Sequence, residues 1–197
     1  YLYKDYFGNI KIQAISGMLS VLYAVIAFAI TQPLANKFGK KELSIIGCFI
    51  SAASFILLFI IHTHNVWVWV GLIIVATIGT SMFNMVIWAM ITDVIDESEV
   101  QTGVRQDGTI YSVYSFARKL GQACSSGLSG ILLSIIGYSS VTAFDPKVVD
   151  GIYNITCLVP AGGMILLLLA LWFLYPLNKK RVEENAEKLR IKRNENA

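Results

Sequence analysis

From Leu43 to Thr92 the chain runs for 50 residues without one Asp, Glu, Lys or Arg. No other feature limits its fold as strongly. A bilayer core about 30 Å thick takes about 20 apolar residues per helix, and the string His62-Thr63-His64-Asn65 divides this run into two such lengths. Three more uncharged runs, Ile12–Asn36, Leu120–Phe144 and Gly151–Asn178, hold 25, 25 and 28 residues. Together they predict five spans, over 12–34, 43–61, 66–92, 109–136 and 152–176. The fourth must take Arg118 and Lys119 into or near the membrane. Charged residues make up 15% of the 197, against about 25% in soluble domains. Backbone polar groups cannot face lipid unpaired, so the spans are helices, and the runs lack the period-two alternation of a membrane barrel. The fold class is an all-α membrane protein.

Orientation follows from Lys and Arg. Lys37, Lys40, Lys41, Arg105 and seven tail residues from Lys179 to Arg193 gather on one side, and Lys4, Lys11 and Lys147 on the other. The crowded side is expected to be cytoplasmic, which puts the C-terminus inside. Residues 35–42 then form a basic inner turn, 62–66 an outer turn, 93–108 a long charged inner loop and 137–151 an outer loop. The tail beyond Pro176 is hydrophilic, and Glu184 and Lys188 are spaced for an i,i+4 pair on a short helix. The chain opens on Tyr1-Leu2-Tyr3 without an initiator Met, which reads as part of something longer.

Polar residues inside the spans are not scattered. Ser112, Ser115, Lys119, Gln122, Ser126 and Ser129 follow steps of 3 and 4, one helix face. Thr77, Ser81, Asn84 and Trp88 do the same in the third span, and Gln13, Ser16, Ser20 and Tyr23 in the first. Three stripes point to a wet interior, with hydrogen-bonded helix packing as the alternative. The second and fifth spans read as lipid-facing or supporting. A lysine at the bilayer centre costs about 2.5–3.5 kcal/mol, so Lys119 calls for an aqueous path or a partner. Arg118, about 100° round the helix, is free to snorkel or reach a carboxylate at the cytoplasmic end. Ala123 with Gly127, and Ser126 with Gly130, form small-xxx-small faces suited to close helix contact.

Asp93 and Asp96, with Glu97 and Glu99 beyond and Arg105 after them, suit a breakable ion-pair network at the cytoplasmic mouth. No catalytic or metal-ligand set stands out. His62 and His64 lie in a turn without matching ligands, and Cys48, Cys124 and Cys157 are far apart and read as small buried hydrophobes. A net charge of +3 gives no nucleic-acid signal.

Residues 93–123 read DVIDESEVQTGVRQDGTIYSVYSFARKLGQA. This resembles the loop and eleventh helix of the glycoside–pentoside–hexuronide:cation symporters, the melibiose permease relatives of the major facilitator superfamily. Tyr3-Lys4-Asp5-Tyr6-Phe7-Gly8-Asn9 resembles the outer end of helix seven, and Gly39-Lys40-Lys41 the turn between helices eight and nine. The resemblance implies the C-terminal half of a major-facilitator bundle. Residues 1–9 end helix seven, 10–176 hold helices eight to twelve, and 177–197 form a cytoplasmic tail at the cell (inner) membrane. It implies sugar–cation symport by alternating access, with the lipid bilayer, a small sugar and the N-terminal half of the transporter as partners. It also implies no cofactor, and a coupling cation (Na⁺, H⁺ or Li⁺) held mainly in the missing half. Lys119 matches the helix-eleven lysine near the sugar and coupling sites. Asn84 and Trp88 lie where helix ten touches sugar, and Ser115 and Gln122 share the face of Lys119. Asp93, Asp96 and Arg105 match charges linked to closing the cavity. Glu97 departs from the family, which often has Tyr there. A non-transporting membrane sensor or partner-binding module is the alternative.

Overall fold

The computed structural model describes residues 3, 6–8, 10–139 and 141–195, without the side chains of Ile10, Lys11, Gln13, Ser20, Val21, Leu22, Ala24 and Glu195. The residue 3–9 motif is therefore only partly covered, since Lys4, Asp5 and Asn9 lie outside the described residues, as do the side chains of Gln13 and Ser20 from the first stripe. The described residues form six helices: α1 (Ile10–Phe38), α2 (Lys40–Ile61), α3 (Val66–Thr102), α4 (Asp107–Ile135), α5 (Pro146–Phe173) and α6 (Lys179–Glu195). Each predicted span falls on one of the first five. By length and composition α2, α3 and α5 can cross a membrane.

The boundaries between helices differ from the expectation in three places. The charged segment after Thr92 is not a loop: α3 continues through Asp93, Asp96, Glu97 and Glu99 to Thr102, 37 residues or about 55 Å of helix. No Gly or Pro interrupts residues 93–102, and leaving an apolar environment does not by itself end a helix. Gly103 ends it, at φ 78° with its N–H donated to the Glu99 carbonyl at 2.9 Å. Likewise α5 starts at Pro146, six residues ahead of the apolar run, because Asp145 accepts from the Lys147 N–H and Pro146 suits the first turn. The turn between α1 and α2 shrinks to Gly39 alone, at φ 104°, where a Cβ would stand 3.0 Å from the Lys179 Cβ and collide with the Glu42 carboxylate.

Helix α2 is the hub, packed between α3 and α5. Its steps of 3, 4 and 3 through Ser44, Gly47, Ser51 and Ser54 form a small-residue stripe that is buried throughout. Gly47 meets Gly79 of α3 so closely that a Cβ on Gly47 would lie 2.5 Å from the Gly79 carbonyl. Ser51 and Thr80 share a hydrogen bond of 3.0 Å alongside. The close helix crossing is thus here, and not at Gly127 or Gly130 of α4, where nothing stands within 4 Å of an added Cβ.

Two apolar clusters flank this crossing. Leu43, Cys48, Met82, Val86, Met90 and Leu171 lie toward the basic end of the bundle. Leu58, Trp69, Val70, Val148, Ile152, Tyr153 and Cys157 lie toward the other. There the fully buried Tyr153 donates its hydroxyl to the Leu58 carbonyl at 2.8 Å and accepts from the Thr63 N–H at 3.2 Å, serving the open C-terminus of α2. Cys48 and Cys157 are buried as small hydrophobes, but Cys124 on α4 is exposed. Helix α4 stands apart, along α3, and none of its residues is buried.

Candidate functional site

Helices α3 and α4 enclose a groove of about 510 Å³ lined by Phe83, Asn84, Ile87, Trp88, Tyr114, Ala117 and Arg118. The volume is in the range of small-molecule sites. Asn84 and Trp88 sit one helical turn apart on the α3 wall, where their spacing of four put them. Trp88 is 46% exposed. Tyr114 meets its ring edge-on at 5.3 Å, and Tyr111 lies nearly parallel at 6.4 Å. The Arg118 guanidinium covers the same ring at 5.5 Å. Arg118 therefore turns toward α3 and sits on an aromatic face rather than reaching for a carboxylate at the helix end.

Lys119, Ser115 and Gln122 do not line this groove. Their face points away from α3, and all three are exposed. Among the described residues Lys119 has no hydrogen-bond or ion-pair partner. Ser112, Ser126 and Ser129 on the same stripe turn back to their own helix, donating to the carbonyls of Gly108, Gln122 and Ser125 at 2.6, 3.0 and 2.9 Å. The groove that α3 and α4 form thus belongs to Arg118 and not to Lys119.

The basic end holds two separate charge clusters where one was expected. Asp93, buried at 5% exposure, pairs with Lys40 of α2 at 2.6 Å, and its second oxygen has no partner. Arg105 instead gathers Asp96 at 2.8 Å, Glu99 at 2.9 Å and Asp107 at 2.9 Å. Those carboxylates raise the Arg105 pKa further above its ordinary value. The neighbouring Lys41 donates to the Tyr175 carbonyl at 2.5 Å beyond the end of α5, so both lysines of the Gly-Lys-Lys turn hold helices together.

The tail closes over this end. Arg181 of α6 pairs with Glu97, and Asn185 donates to the same carboxylate at 2.6 Å. Arg193 reaches Glu99 at 3.5 Å, sharing it with Arg105. Leu189 and Asn185 are buried in the contact. The Arg181 bond holds the Glu97 carboxyl below its ordinary pKa. The departure from Tyr at this position is thus matched by a tail arginine. On the tail itself Glu184 pairs with Lys180 at 3.8 Å.

The match to known proteins covers α1 to α5. Residues 1–179 fit the profile of the MFS/sugar transport protein family. The chain belongs to that family. Similar proteins in this sugar-transport family include "Uncharacterized symporter YjmB" of Bacillus subtilis (strain 168), 34% identical over 88% of this chain and 38% of that protein. "Glucuronide carrier protein homolog" of Escherichia coli (strain K12) is 33% identical over 77% of this chain and 33% of that protein. "Putative sulfoquinovose importer" of Salmonella typhimurium is 31% identical over 94% of this chain and 40% of that protein. The chain spans about a third to two fifths of the length of these relatives. It is thus an integral membrane protein of a transporter family, not an enzyme. Among the described residues no three His, Cys, Asp or Glu converge on a metal position.

Sequence reasoning missed Arg118, Tyr111 and Tyr114 as groove residues, although their steps of 3 and 4 form a second stripe beside that of Lys119. It also missed Lys40 as the partner of Asp93. No local signal links residues 53 apart.

Proposed function

We propose that this chain is the C-terminal half of a sugar–cation symporter, with α1 to α5 as helices eight to twelve of a bundle that works by alternating access. Helices α1 and α4 also cross the membrane in this reading. The first carries an uncharged run of 25 residues, and the second is less apolar because its Ser and Gly residues face an interior. The observation that carries the proposal is α4: a 29-residue helix of a membrane protein with no buried residue and, among the described residues, no partner for the lysine on its free face. Such a face needs a covering wall, and the unmatched length of the relatives supplies the chain for it.

Sugar binds between the two halves. Trp88 presents a flat apolar ring to a pyranose, Asn84 offers donors and an acceptor to hydroxyls, and Lys119, with Ser115 and Gln122 on the neighbouring face of α4, faces the opposite wall. The relatives' names, with glucuronide and sulfoquinovose among them, support a sugar substrate. The coupling cation, Na⁺, H⁺ or Li⁺, binds mainly in the other half, since no carboxylate lies between Leu43 and Thr92 or between Gly108 and Phe144 here. Asp96 and Arg105, with Asp93 and Lys40 above them, brace the cytoplasmic end, and α6 lies in the cytoplasm under the cell membrane. Replacing Lys119 with Leu in the full-length transporter abolishes or strongly reduces sugar accumulation while insertion stays intact. Undiminished uptake by that variant counts against the site, and counterflow with and without Na⁺ or H⁺ gradients names the ion.

A further inference from the structure

The chain has five arginines, and four of them, Arg105, Arg181, Arg190 and Arg193, stand within 3.5 Å of a carboxylate. Arg118 is the fifth. Among the described residues it has no carboxylate partner and rests on Trp88 at 5.5 Å. It lies eleven residues into α4, about 16 Å along the helix. The closest acid along α3 from Trp88 is Asp93, and Lys40 occupies it at 2.6 Å. The guanidinium borders Phe83, Ile87, Ala117 and aromatic rings and is exposed to the groove, so a molecule that enters the groove can bring the counter-charge.

Among the described residues no acceptor takes the N–H edge of the Arg118 guanidinium. That edge is a planar fork of N–H donors matched to two oxygens of one anionic group, which an ammonium cannot reproduce. Trp88 beneath it and Asn84 one turn away provide the ring contact and the polar contacts of a pyranose in the same 510 Å³. We infer that Arg118, placed over Trp88, is the specificity-determining residue of this groove and selects sugars carrying a carboxylate or sulfonate over neutral ones. The inference rests on the sugar-transport reading and goes further by naming the substrate's charge and the group that reads it. A neutral sugar leaves the guanidinium desolvated and unpaired, and a site built for a polar group discriminates against the analogue that lacks it.

The test uses the full-length transporter in proteoliposomes and three nitrophenyl β-glucosides that differ only at C6: hydroxymethyl, carboxylate or sulfomethyl. The wild type is expected to take up at least one anionic probe tenfold or more faster than the neutral one. Arg118→Gln collapses that ratio tenfold or more, and Arg118→Lys, which keeps the charge and loses the fork, falls between. A wild type that moves the neutral probe as fast as both anions overturns the inference and leaves sugar transport standing. A loss in Arg118→Gln that is equal for all three probes also overturns it, since it marks a structural ion pair with the rest of the transporter. If the inserted wild type moves none of the probes under Na⁺ or H⁺ gradients, the symport reading fails and the inference falls with it.

Discussion

Asp93 and Asp96 stand three residues apart on one helix, yet they answer to different cations. The 100° step per residue turns Asp93 toward α2 and Lys40, where it is buried, and leaves Asp96 beside Arg105 at the exposed end. The two substitutions should therefore differ. Asp93→Asn removes one partner of a buried pair and is expected to cost about 1–3 kcal/mol in thermal unfolding in detergent. Asp96→Asn leaves Arg105 with Glu99 and Asp107 at 2.9 Å each, so it costs under about 1 kcal/mol. Equal losses contradict this division. The sequence reading put both aspartates together at the start of an inner loop and could not tell them apart, because Lys40 arrives from another helix.

At the scale of elements, the α2–α3 crossing and the α6 contact carry the most information. Gly47 and Gly79 let two backbones touch, so Gly47→Leu must push the helices apart or force side chains from their rotamers, at about 1–3 kcal/mol or more. Gly127→Leu on α4 meets nothing within 4 Å and leaves the melting temperature of this chain unchanged. Small residues occur at helical spacing in α2 and α4 alike, and the sequence reading picked out only those of α4. Only the three-dimensional path of α2 selects one. The α6 contact depends on pH. Arg181 holds the Glu97 carboxyl below its ordinary value, so the contact is at full strength above the free carboxylate's pKa and weakens as pH falls through the depressed one. Limited proteolysis of α6 should accelerate on acidification, and Glu97→Gln should show the fast rate already at neutral pH. A cleavage rate independent of pH in the parent chain rules this out.

Taken whole, the chain is a packed core of α1, α2, α3 and α5 with one helix laid outside it. Lys119 has no partner in the core. Its replacement by Leu is therefore expected to leave the thermal stability of this chain unchanged, while uptake by the full-length transporter is lost. A drop in stability of the isolated chain would instead assign Lys119 a structural contact. Arg118 contacts the core through Trp88, whereas Lys119, one residue on, does not.

The number of long helices, the two turns at Gly39 and at residues 62–65, and the transporter family were legible in the sequence. Each rests on a property of consecutive residues: uncharged run length, a breaker, or a continuous motif. Helix ends at Thr102 and Pro146 were not, because capping and unbroken helical propensity, rather than hydropathy, decide where a helix stops. Nor were the pairs Lys40–Asp93 and Arg181–Glu97 or the Arg118–Trp88 stack. Those contacts join residues 30 to 84 positions apart, and only the tertiary arrangement of helices brings such partners within reach of one another.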